Sequence, residues 1–139
     1  MKKLILRIDA AFLGLAGVFG VASDLLSYFA GRGAFGQVFY KNPFVIAGVE
    51  AHLLAVMAAG FMWHWSKNRH GSSGSWMGII VHLICGISNI IWFDVFNAVN
   101  ARAQGIVVTI LHFLFVGLNA ALIYQNKAQH SAHFAELNT

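Results

Sequence analysis

Charge is what this sequence has least of. Its 139 residues include five Asp or Glu and nine Lys or Arg, 10% charged in all. A soluble domain carries roughly 25%, so the soluble classes are excluded. Cysteine and proline occur once each. Cys85, alone and inside an apolar run, allows neither an internal disulfide nor a thiolate metal cage. Catalytic signatures are absent too: no nucleophile elbow, P-loop, Gly-rich dinucleotide fingerprint or Cys-x-x-Cys pair.

Apolar side chains are what the chain has in quantity, with 58% hydrophobic residues and a mean hydropathy of +0.67. A helix rising 1.5 Å per residue needs ~20 apolar residues to cross about 30 Å of hydrocarbon. Four runs reach that length, at residues 8–29, 44–65, 76–99 and 105–124. The expectation is an all-α integral membrane protein, one domain over residues 1–125, folded as an antiparallel four-transmembrane-helix bundle. Residues 126–139 then read as a polar, frayed tail. The basic, apolar start resembles a signal peptide, but Arg7 and Asp9 interrupt it where an apolar core should begin, so it reads as a true span.

Orientation follows from basic residues near the span ends. Lys2, Lys3, Arg7, Lys67, Arg69 and Lys127 share one side, against Arg32, Lys41 and Arg102 on the other. Both termini are therefore expected in the cytoplasm, with the protein in a bacterial cytoplasmic (inner) membrane. The net charge of +4 reflects this bias and anionic headgroups, so lipids and not nucleic acid are the expected partners.

The connections read plainly. "AGRGAFGQVFYKN" before the second span is Gly-rich and aromatic, a loop or a short re-entrant or interfacial piece. Asn42-Pro43 opens that span, since Asn caps and Pro at the first helical position loses no hydrogen bond. His64 and His70, among Trp63, Trp65, Lys67 and Arg69, read as interfacial anchors. His130 and His133 read as part of a solvated tail, and no metal site is assigned.

The informative residues are the polar ones inside the spans. Asp9, Leu13, Ala16, Gly20 and Asp24 recur at helical spacing, with Ser23 and Ser27 alongside. So do His82, Gly86, Asn89, Phe93 and Asn97 in the third span, and Gly105, Thr109, His112, Val116 and Asn119 in the fourth. An ionisable group facing acyl chains costs several kcal/mol, so these stripes should turn inward. Glu50 and His52 in the second span stand two apart, about 200° around a helix. One should face the bundle centre; the other should face a neighbouring helix seam, another subunit or a local break in the helix. By depth, Glu50 and His112 both lie roughly 12 Å from the outer edge. A polar site in the outer half is therefore expected from Glu50, His52, Asn89, Asp94 and His112, with Glu50 and His112 sharing a cavity.

The layout resembles the DoxX/DoxD-like group of small four-span bacterial membrane proteins. The resemblance rests on chain size, Arg7 at the head of the first span, the Gly-rich segment before the second, and Glu50 early in it. That group is associated with redox and thiosulfate–quinone chemistry, which implies a quinone as a candidate ligand. The expected function is a small membrane protein that binds a hydrophobic or amphipathic small molecule, quinone- or lipid-like, as a redox-associated subunit. One alternative is a bis-His haem b subunit ligated by His52 and His112, which lie at similar depth. Another is a proton-coupled transporter formed as a homo-oligomer or within a larger membrane complex.

Overall fold

Inside a bilayer no water satisfies backbone N–H and C=O groups, so an apolar chain spans it as helices that bond to themselves. The computed structural model describes residues 2–67 and 72–137, with side chains described as far as residue 128. Arg69 and His70 lie outside the described residues. The elements are α1 (Lys2–Ala30), α2 (Gly36–Phe39), α3 (Val45–Trp65), α4 (Ser73–Ile91), α5 (Phe93–Ala98) and α6 (Arg102–Leu137). Helices α1, α3, α4 and α6 are long and apolar enough to cross a membrane, and they pack antiparallel. Their outer surface is hydrocarbon: Phe19, Phe29 and Phe44 are 70%, 72% and 79% exposed. Such a surface aggregates in water and dissolves in lipid. The chain is a multi-pass membrane protein.

Neighbour order decides everything about the interior. Helix α1 packs along α3, α4 along α6, α3 against α4, and α1 against α6. Helices α1 and α4 also meet across the middle, whereas α3 and α6 share no packing seam. The bundle is thus a rhombus, with α1 and α4 on its short diagonal. One end, the terminal face, carries Lys2, Trp65 and Ser73; the opposite face carries Ala30, Val45, Ile91 and Arg102. The apolar core of Leu6, Ala10, Leu13, Ala58, Ala59, Met62 and Leu122 fills the half near the terminal face. There Arg7 anchors α1 to the end of α3, its guanidinium 5.0 Å from the Trp63 ring and its Nε donating to Ser66 Oγ at 3.4 Å.

Several boundaries differ from expectation. Helix α1 starts at Lys2, well before the first apolar run, and stops where Gly31 (φ 62°) turns left-handed and donates its N–H to the Ser27 carbonyl at 3.0 Å. Glycine takes that conformation without a Cβ clash. The Gly-rich segment holds the short helix α2, packed on α1. Asn42 does not cap α3. Its Oδ1 accepts from the Phe44 N–H at 3.1 Å, a turn closed two residues on, and α3 begins at Val45. The third run is not one helix over 76–99: α4 ends at Ile91, Trp92 leaves helical geometry (φ −107°, ψ 33°), and α5 starts afresh. Nothing in the local sequence explains that break. Helix α6 runs on to Leu137, so the segment expected to fray from residue 126 is helical.

Candidate functional site

Two carboxylates on α1 organise the polar interior, one toward each face. Asp9 is fully buried, seven residues into α1, about 10 Å from its start. Its Oδ1 accepts from His82 Nε2 on α4 at 2.5 Å, and its Oδ2 from Asn119 Nδ2 on α6 at 2.5 Å. The other ring nitrogen of His82, Nδ1, lies 2.7 Å from His112 Nδ1 on α6. His82 and Asn119 are also 0% exposed, while His112 is half-buried. Aromatic rings wall the chain of bonds. His82 stacks on Phe115 with ring centroids 5.1 Å apart, and Phe12 lies 6.2 Å from both imidazoles. Glycine makes room beneath it, for a Cβ at Gly78 would crowd Asn119 and Asp9.

With Asp9 ionised, the geometry sets the proton positions. An ionised carboxylate only accepts, so His82 carries a proton on Nε2. With both imidazoles neutral, His82 Nδ1 then accepts from His112 Nδ1–H, and His112 Nε2 holds a free lone pair at the half-exposed end. In this arrangement a proton added at that nitrogen could pass along the bonds without any group crossing the interior. His112 Nδ1–H passes to His82 Nδ1, His82 Nε2–H passes to Asp9 Oδ1, and the carboxylate becomes neutral. Both rings end neutral in the opposite tautomer. The chain can therefore take up one proton and lose a buried charge in the same step.

Asp24 heads the second pair. Its Oδ2 lies 2.8 Å from His52 Nδ1 on α3, with side-chain exposures of 4% and 39% for Asp24 and His52. The imidazole lies flat on α1 where Gly20 has no side chain, and a Cβ there would overlap the ring. Asp24 is fifteen residues from Asp9 along α1, about 22 Å.

The expected outer-half site does not assemble as such. His52 faces Asp24 of α1, and Glu50 is exposed, its side chain making no hydrogen bond or ion pair among the described residues. Glu50 and His112 are not brought together: α3 and α6 lie on the long diagonal, and His112 bonds to His82. Equal depth was a poor guide because depth says nothing about which helices are neighbours. The same diagonal separates His52 from His112, so the two do not face one another as axial ligands of one haem. Asp94 is exposed on α5, 3.4 Å from Asn97 Nδ2, and Asn89 is half-buried, its side chain making no hydrogen bond among the described residues. Leu83 and Leu111 are half-buried as well. His64 borders a shallow groove of about 450 Å³ on the outside of α3, with Met57, Gly60 and Phe61.

Asp9, His82 and Asn119 stood in the inward stripes but outside the expected site. The first span was expected to begin at residue 8. Helix α1 starts six residues earlier, which moves Asp9 into the bundle. No group of three or more His, Cys, Asp or Glu suited to a metal ion is present among the described residues. No family model matches the chain, and no similar curated protein or solved structure is found.

Proposed function

We propose that this protein exchanges protons inside the membrane through Asp9, His82 and His112, in the service of an amphipathic molecule whose polar group docks at His112. The observation that carries the reading is the unbroken hydrogen-bond chain from a fully buried carboxylate through a buried imidazole to a half-buried one. Buried ionisable groups are costly in a bilayer and mark proton relays and ion pathways. A structural clasp between helices needs one bond. A chain with two nitrogens per ring, aligned so that every link can reverse, suits transfer. A quinone- or lipid-like ligand fits the half-exposed end, since its headgroup would accept from or donate to His112 Nε2 while its tail stays in hydrocarbon.

On this reading both termini are cytoplasmic in a bacterial inner membrane, as the distribution of Lys2, Lys3, Arg7 and Lys67 against Arg32, Lys41 and Arg102 favours. The relay then sits in the cytoplasmic half and the Asp24–His52 pair in the outer half. Proton-coupled transport is the second reading, favoured by that second pair on the same helix. Among the described residues no side-chain polar bond bridges the roughly 18 Å of α1 between the levels of Phe12 and Asp24, so a transport path would need further chains.

The test is nitrogen NMR of the histidines in lipid nanodiscs across pH. The expected result is that His82 and His112 change tautomer together and that Asp9→Asn uncouples them. A single fixed tautomer in both rings at every pH would overturn the reading.

A further inference from the structure

Among the described residues, three buried side-chain polar atoms have no hydrogen-bond partner: Asn119 Oδ1, Ser75 Oγ and Asn126 Nδ2. All lie between the Asp9 carboxylate and the terminal face. Ser75 and Asn119 are 0% exposed. The orientation of the Asn119 amide is decided by its neighbours, because Nδ2 donates both to Asp9 Oδ2 at 2.5 Å and to the Phe115 carbonyl at 2.9 Å. Turning the amide over would set oxygen against two acceptors. Asn119 Oδ1 is therefore an unpaired acceptor, at a cost of about 1–3 kcal/mol if left dry.

Their chemistry is complementary. Asn126 Nδ2 is a donor, Asn119 Oδ1 an acceptor, and the Ser75 hydroxyl is both. Their spacing fits as well. Asn119 and Asn126 are seven residues apart on α6, about 10.5 Å of rise. Gly78 of α4 faces Asn119, and Ser75 is three residues nearer the terminal face, about 4.5 Å, close to midway. Asn126, water, Ser75, water and Asn119 make four hydrogen bonds, which at roughly 2.8 Å each span about 11 Å. Buried water occupies sites where two or more polar groups of this kind converge.

We infer that the bundle holds a file of two ordered waters between Asn126, Ser75 and Asn119, running from the terminal face to the amide that donates to Asp9. The hydration stands on the orphaned atoms alone and does not depend on the proton-exchange reading. Its role is to satisfy the buried groups that hold Asn119 against the carboxylate. Leu122 shares the helix face of the two asparagines and packs in the apolar core with Leu6, so the file runs beside it along Ser75 of α4.

The experiment is water-to-protein polarisation transfer in the full chain in lipid nanodiscs, read at the Asn119 and Asn126 side-chain amides. The expected result is rapid transfer to both amides, with a several-fold loss at Asn119 in Ser75→Val. Its near-isostere Ser75→Thr, which keeps the hydroxyl at similar volume, retains the transfer and separates hydration from misfolding. An Asn119 amide as dry as the Leu122 methyls, or one unaffected by Ser75→Val, overturns the inference. A wet Asn119 beside histidines of fixed tautomer would retain the water file and remove the proton reading.

Discussion

Replacing Asp9 with alanine removes the acceptor at the junction of three helices. The carboxylate receives two bonds, from His82 Nε2 and Asn119 Nδ2, and all three residues are 0% exposed. Alanine leaves two buried donors unpaired, at about 1–3 kcal/mol each, and opens a small void. Hydrogen bonds within bilayers run weaker, averaging about 0.6 kcal/mol with a maximum near 1.7, because the unfolded chain in the membrane finds other partners. The expected destabilisation of Asp9→Ala is therefore about 2–3 kcal/mol. Asp9→Asn should cost less, about 1 kcal/mol, because its amide oxygen accepts from Asn119 while its NH₂ donates to His82 in the opposite tautomer. The assay is equilibrium unfolding in bicelles, with a cycle joining Asp9→Ala to His82→Ala. Coupled losses are expected, the double variant falling short of the sum by at least 0.5 kcal/mol or so. An Asp9→Ala variant within about 0.5 kcal/mol of the wild type, or strict additivity in the cycle, would refute the assignment of Asp9 as the hub.

Glu50→Gln and His112→Ala should be additive within about 0.5 kcal/mol in the same unfolding assay, since they lie on helices that share no seam and have no common partner; a larger coupling would restore a shared cavity. Gly20→Ala should expel His52 from its seat on α1 and cost about 1–3 kcal/mol by overpacking, with loss of the Asp24-linked imidazole signal in nitrogen NMR. Gly60→Ala, whose new methyl meets nothing within 4 Å, should be neutral or stabilising by up to about 1 kcal/mol; equal effects at the two glycines would contradict the packing described.

The amino-acid sequence alone determined the class, the number of long helices and the inward turn of most polar stripes. The reasons are local: run length against bilayer thickness, and helical periodicity against the cost of exposing an ionisable group to lipid. Asp9, Asp24, His82 and Asn119 are buried as their spacing requires. The tertiary structure decided which stripes meet. Glu50 and His112 match in depth, but depth is one coordinate of three, and the order of helices around the axis places α1 and α4 between them. That order arises from seams far apart in the chain, such as Gly14, Gly17 and Gly20 lying against Ala59, Val56 and His52, where a missing side chain on one helix meets a ring or methyl on another. No window of one helix contains that information. Only the packed bundle brings Asp9 to His82 and His82 to His112, across sequence separations of 73 and 30 residues.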